Sequence, residues 1–260
     1  MSIVDPQSDI EGLNWNDHWD RYSKATRMNP GQHYRRKAIL KLLGNSARQK
    51  GTRILDVGCG AGDLLETVAD HCPQAEMAGI DQSNGGLKHT RQLLPDARLL
   101  EVDLESCDVD AGELKNWASH AVCSEVLEHI EHPVAALENI AKFLRPGGAL
   151  VITVPGGPKS AFDKSIGHFR HYKPEELHSD LINAGYDIEL VSGAGFPVFN
   201  LYRLVILLRG DKLRQDIADE PSPLARFVMA VFRSIISCSL LRSPWGWQIV
   251  AIAHKRTEQG

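Results

Sequence analysis

Several things are scarce in this sequence, and each scarcity narrows what the chain can be. Only five cysteines occur in 260 residues, at positions 59, 72, 107, 123 and 238. Their number is odd and no two form a Cys-x-x-Cys pair. Neither a disulfide framework nor a cysteine-based zinc site is therefore expected, and a reducing cytoplasm is the natural compartment. No apolar run approaches the roughly 20 residues that span a bilayer. The opening MSIVDPQSDIEGL is acidic and lacks the apolar stretch of a secretory signal. Positive charge is not in surplus: 29 Lys and Arg stand against 33 Asp and Glu, a net charge of −4. Nucleic-acid-binding domains are usually basic, so no nucleic acid partner is expected. What is present is 43% hydrophobic residues, enough to pack the core of one large domain.

From residue 52 the chain alternates apolar runs with helical patterns. Strands are expected at 53–57, 76–80, 97–102, 121–124, 149–154, 187–191 and 248–253. Helices are expected at 32–43, 62–71, before Leu94-Pro95, at 134–144, and from Pro174 to a stop at Gly185. The run Arg145-Pro146-Gly147-Gly148 reads as the close of the 134–144 helix. This alternation predicts an α/β fold of the Rossmann-like kind, a seven-stranded, mostly parallel sheet with helices on both faces. Between strands six and seven lie roughly fifty residues that such a domain does not need. They hold two apolar helical segments, 199–208 and 227–241, around a charged loop at 209–223. The expected organisation is an N-terminal helical cap or lid over 1–44 and a nucleotide-binding core over 45–195. A helical insertion over 196–244 covers the acceptor pocket, and a last strand and tail follow over 245–260.

The densest chemical signal is RILDVGCGAGDLL, residues 53–65. A buried strand runs into Gly58, Gly60 and Gly62 and then a helix, which lets backbone approach a ligand closely and presents free amides at a helix N-terminus. Such a turn also suits dinucleotides. Asp56 tips the balance: a carboxylate just before the glycines repels pyrophosphate but attracts the ammonium or sulfonium of S-adenosylmethionine. Asp81 ends the second strand, where it can accept from ribose hydroxyls, and Asp103 ends the third, where it can accept from an adenine amino group. Each acid alone reads equally as a helix N-cap. Three on successive strand ends read as a ligand edge.

These stretches resemble class I S-adenosylmethionine-dependent methyltransferases. The matches are ILDVGCGAGDL at 54–64, GIDQ at 79–82, VDL at 102–104, CSEVLEHIEHP at 123–133 and FLRPGGALVITVP at 143–155, in family order over roughly residues 30–195. The Glu-His-Pro form of the fourth stretch is similar to the small-molecule branch that includes ubiquinone-biosynthesis O-methyltransferases. The resemblance implies that Gly58, Gly60, Asp81, Gln82, Asp103, Leu104 and Ser124 line the cofactor site, with Arg36 reaching the methionine carboxylate. The Asn-Pro-Pro-Tyr motif of DNA and protein amide methylation is replaced by Ser124-Glu125-Val126-Leu127, and no Pro-Cys pair for cytosine chemistry occurs.

Methyl transfer is an in-line displacement that needs positioning, a dry pocket and sometimes a base. His168 is the first candidate base, then His171 and His129. The first two belong to GHFRHY at 167–172, which resembles a Gly-His-x-Arg-x-Tyr segment of the same branch. The alternative is that these histidines only brace their loop. No metal is expected, because the clustered Asp and Asn ligands of catechol methyltransferases are missing. Trp15, Trp19 and Tyr22 are either packing or a lid. The insertion could be a lid, a homodimer interface or a membrane-surface element for a lipid-like acceptor. The expected activity is methylation of a small molecule on oxygen. Nitrogen or carbon acceptors, and a non-catalytic cofactor-binding role, remain the competing readings.

Overall fold

The computed structural model describes residues 29–209 and 223–257. Trp15, Trp19, Tyr22 and the charged loop between the insertion helices lie outside them. Seven strands form one sheet: β1 (Arg53–Val57), β2 (Glu76–Asp81), β3 (Arg98–Glu101), β4 (Ala118–Ser124), β5 (Leu144–Pro155), β6 (Tyr186–Ala194) and β7 (Gln248–Lys255). The order is β3-β2-β1-β4-β5-β7-β6. The pairs among β1 to β5 are parallel, and β7 runs antiparallel between β5 and β6.

The helices are α1 (Pro30–Leu43), α2 (Asp63–His71), α3 (Asn84–Leu93), α4 (Pro133–Ala141), α5 (Ala161–Ser165), α6 (Pro174–Asn183), α7 (Val198–Arg209) and α8 (Pro223–Ile235). Local chemistry fixes their starts. Asn29 accepts hydrogen bonds from the Gly31 and Gln32 amides at the head of α1, and Ser83 accepts one from Gly86 N at the head of α3. Such caps contribute about 1 kcal/mol each. Prolines in the first turn start α1, α4 and α6.

The sheet divides the core by residue parity, as a pleat requires. On one face Leu55, Val57, Ala121, Cys123, Leu150 and Ile152 pack with α4 and α6. On the other, Ile54, Val122, Val151 and Val250 pack against Tyr34, Ala38, Ile39 and Leu42 of α1. Residues 30–43 thus form part of the core layer. The insertion follows on this side: Phe199 of α7 and Ile236 after α8 join the α1 cluster.

Several boundaries differ from expectation: β4 starts at Ala118 and β6 runs to Ala194, and two differences are larger. Helix α4 stops at Ala141, and Arg145-Pro146-Gly147-Gly148 lies inside β5, not at the end of a helix. There Ala118 pairs with Leu144 but His120 with Ala149, so the intervening residues loop out of register. Gly148 is required, since a Cβ would sit 2.9 Å from the Arg145 carbonyl oxygen. The second insertion helix starts at Pro223 and ends at Ile235, passing into a 3-10 turn at Ile236–Cys238.

Candidate active site

The same parity builds the site. On the α1 face, the residue two places beyond each core side chain, toward the carboxyl edge of the parallel strands, is polar: Ile54 is followed by Asp56, Val122 by Ser124, Val151 by Thr153. On antiparallel β7, Val250 is preceded by Gln248. An apolar layer therefore gives way to a polar one where open α/β sheets bind ligands.

The glycine loop sits beside it. Gly58, Gly60 and Gly62 all have positive φ (70°, 51° and 85°). A Cβ on Gly58 would run into Val126 Cγ2, and one on Gly62 would meet Thr90 Oγ1 at 2.8 Å. The loop is pinned to β2: Gly58 N and Cys59 N donate to the Ile80 carbonyl, and Gly60 N donates to Asp81 Oδ2 at 2.8 Å. Asp81 Oδ1 accepts from Ser83 N at 2.7 Å. Asp81 thus organises the loop with its carboxylate. Burial raises its pKa against the two amide bonds that lower it.

Asp56 is only 3% exposed, and its Oδ2 is buried with no hydrogen-bond partner. Burial, then the Asp81 charge, pushes its pKa up to about 8. A carboxyl held beside a glycine cradle without a counter-charge is the feature a cationic ligand completes. Gln82 and Asp103 are exposed at the same edge, and Asp103 Oδ1 accepts from Glu105 N. Leu104 is buried in the core. Ser124 Oγ lies 2.9 Å from Thr153 Oγ1. Gly58, Gly60, Asp56, Asp81 and Ser124 come together. Arg36 lies 4.0 Å from Asp63 on α2.

Its neighbour Arg35 makes the stronger contacts. Arg35 Nη2 is 2.7 Å from Glu125 Oε2, and its Nε donates to Gln248 Oε1 at 3.1 Å. Gln248 Nε2 donates in turn to Glu125 Oε1 and to the Val154 carbonyl. Glu125 holds φ 58°, a left-handed conformation uncommon for a side-chain-bearing residue. Three segments distant in sequence meet in this network, so no local motif marks it. The alternation of β4, β5 and β7 is the signal that does.

The turn after β4 and the loop after β5 meet at the same edge. Phe169 N donates to the Glu128 carbonyl, Arg170 Nη2 to the Glu131 carbonyl at 2.7 Å, and Tyr172 N to the Pro155 carbonyl. This brings His129, His168 and His171 together. His171 Nδ1 is 3.0 Å from the Gly157 carbonyl oxygen, which can only accept, so Nδ1 carries the proton. In the neutral ring Nε2 is then an acceptor for His168 Nδ1–H at 3.2 Å. His168 Nε2 is left with its lone pair, 4.0 Å from Glu128 Oε1. His129 packs edge-on to His168. Burial, then the neighbouring imidazole of His129, lowers the His168 pKa to about 2, so the ring stays neutral. Glu128 is fully buried with neither carboxyl oxygen hydrogen bonded. Burial, then Glu125, raises its pKa well above the usual range.

Asp163 closes the cluster, 3.7 Å from His171 Nε2. Arg203 of α7 clamps it bidentately at 3.2 and 2.7 Å, and the Ser160 amide and hydroxyl also donate to it. Burial alone would raise this carboxyl, but Arg203 and Ser160 hold it far below the usual range. Donor atoms of Glu128, His129 and His168 lie within 4.8 Å of one another, as do those of Asp163, His168 and His171, which is within reach of a single cation.

Known proteins fit this geometry. The family model described as a methyltransferase domain matches residues 31–199. The chain is 30% identical over 182 residues to the ubiquinone biosynthesis O-methyltransferase of Nitrosospira multiformis, covering 64% of this chain and 75% of that protein. It is 28% identical over 141 residues to a trans-aconitate 2-methyltransferase of Afipia carboxidovorans, covering 53% of each. Among solved structures, Haemonchus contortus phosphoethanolamine N-methyltransferase 2 superposes with a TM-score of 0.63 at 16% identity, over 98% of this chain and 61% of that one. The cyclase SpnF superposes at 0.56 and 20% identity, over 84% and 79%, so the fold by itself does not fix the reaction. With the family model spanning glycine loop, strand-end acids and histidine turn together, the chain belongs to the methyltransferase-domain family and is a class I S-adenosylmethionine-dependent methyltransferase.

Proposed function

We propose that this enzyme methylates an oxygen atom of a small molecule, with His168 as the proton acceptor. The observation that carries this reading is the histidine relay: the Gly157 carbonyl dictates the His171 tautomer, which leaves His168 Nε2 unprotonated. A hydroxyl acceptor must shed a proton as it gains a methyl group, whereas an amine already neutral needs less help. The curated relatives named as O-methyltransferases support the same choice.

S-adenosylmethionine supplies an electrophilic methyl group on sulfur. On this chain the Gly58–Gly62 loop and Asp81 would hold the nucleoside, and Asp56 would offset positive charge. Positioning falls to the loop after β5, which Lys159, Arg170 and Asp163 tie down. Asp163, 3.7 Å from His171, compensates charge that develops on the relay. All five cysteines are free, which fits a reducing compartment such as the cytoplasm.

Calorimetry with S-adenosylmethionine, followed by assay against phenols, carboxylates and amines, tests the reading. Turnover of a hydroxyl acceptor that falls at least about a hundredfold in His168→Ala, with cofactor affinity retained, is the expected result. Amine turnover unaffected by that change would move the assignment to nitrogen. Absence of cofactor binding in the folded protein would overturn it.

A further inference from the structure

The histidine relay depends on one backbone carbonyl. A neutral His171 ring carries a single proton, and an acceptor stands at each of its nitrogens. The Gly157 carbonyl oxygen is 3.0 Å from Nδ1, and the Asp163 carboxylate is 3.7 Å from Nε2. The two compete for the same proton. Asp163 is kept from closing its gap, because Arg203 and Ser160 tie down its oxygens. The Nδ1–H form is therefore favoured only while Gly157 keeps its carbonyl at hydrogen-bond distance. A proton on His171 Nε2 would instead face His168 Nδ1, 3.2 Å away. His168 would then accept there and carry its own proton on Nε2, so its lone pair at that atom would be lost.

Gly157 is held from outside its loop. It has φ 69°, and a Cβ there would stand 2.7, 3.1 and 3.0 Å from Cγ, Cδ1 and Cδ2 of Trp247. The indole thus lies against the Gly157 backbone. The Trp247 carbonyl accepts from Gly156 N at 2.8 Å and fastens the preceding residue to the entry of β7. Trp247 is seated in turn by Asn200 of α7. Asn200 Oδ1 accepts from Trp247 N at 3.0 Å, and its Nδ2 donates to the Trp245 carbonyl at 2.7 Å. A backbone N–H can only donate and a carbonyl can only accept, so these partners fix the orientation of the Asn200 amide. Asn200 and Arg203 are three residues apart on α7 and share a side of it. One helix of the insertion therefore steadies both acceptors: Arg203 grips Asp163, and Asn200 seats Trp247 on Gly157.

We propose that Trp247 and Asn200 are positioning residues that set the His171 tautomer and so keep a lone pair on His168 Nε2. This rests on the relay given under the proposed function and extends it to two side chains from the last third of the chain.

Nitrogen-15 NMR of the histidine-labelled full chain tests this, because protonated and bare ring nitrogens resonate far apart. The signals lost in His168→Gln and in His171→Gln assign the two rings. In the wild type both should carry the proton on Nδ1. Trp247→Ala and Asn200→Ala should each shift the His171 ratio about fivefold toward Nε2–H, the factor that one weakened hydrogen bond allows. Trp247→Phe should keep the wild-type ratio, since phenylalanine retains Cγ, Cδ1 and Cδ2. Binding of S-adenosylmethionine by calorimetry reports that each variant is folded. Asn200 is only half-buried, so an unchanged ratio in folded Asn200→Ala overturns the proposal whether or not Trp247→Ala folds. Nε2–H rings in the wild type would overturn it together with the relay. A shifted ratio alongside full turnover by His168→Ala would sustain it and remove only the base assignment.

Discussion

At the scale of single residues, the site is defined by acids whose ionisation is out of balance with their surroundings. Asp56 is protonated below about pH 8 when no cation is near it. A cationic ligand needs the ionised form, so S-adenosylmethionine affinity should rise up to about tenfold per pH unit until pH 8 and then level off. Calorimetry across that range checks this, and Asp56→Asn should bind weakly with no such slope. In the ligand-free protein burial and then the His129 imidazole lower the His168 pKa. At saturating cofactor, the acidic limb of kcat should therefore lie below the ordinary histidine value of 6.5. An alanine at Gly58 should abolish cofactor binding, because its Cβ collides with Val126 at a positive φ. Asp56, Asp81 and the glycines were legible in the sequence because each lies at or just past the end of an apolar strand pattern. Arg35, Glu125 and Gln248 were not, since nothing in a single sequence says that positions ninety or more residues apart will touch.

At the scale of elements, α1 and α7 bring charge to the sheet edge from opposite ends of the core region. Arg203 on α7 and Asp163 on α5 form a buried pair, and breaking such a pair from one side leaves an uncompensated charge. Arg203→Met should destabilise the protein by about 3–5 kcal/mol in urea unfolding. Adding Asp163→Asn should recover much of the loss, because the stranded carboxylate is then gone. The same substitution should slow turnover by loosening the loop that carries His168 and His171. Strands β1, β2 and the ends of α1, α6 and α7 were legible to within a residue or two, through glycine, proline and apolar spacing. The start of β5 was not. Pro146 and two glycines ordinarily interrupt a strand, and here the sheet tolerates them as a looped-out segment because Leu144 still pairs with Ala118.

At the scale of the whole molecule, ionisation sets a narrow optimum. His33, His120, His168 and His171 all have lowered pKa values, so the unfolded chain binds more protons below 6.5 and stability is lost as pH falls through that value. Asp56 and Glu128 are raised, so the folded state holds protons that the unfolded chain has released, and stability falls as pH climbs toward 8. Asp163, lowered, contributes in full above the ordinary carboxylate range. The ligand-free melting temperature should peak near pH 6.5, and S-adenosylmethionine should shift the peak upward; scanning melts from pH 5 to 8.5 would show both. The sheet order follows from the same chain-wide arrangement. β7 lies between β5 and β6 and carries Gln248, which bridges Glu125 and Arg35. A ribosome making this protein releases those residues after every other strand has emerged. Until they arrive β6 has no neighbour and the polar layer lacks its crosslink, so a nascent chain should be a client for chaperones and unable to capture its cofactor until β7 has emerged.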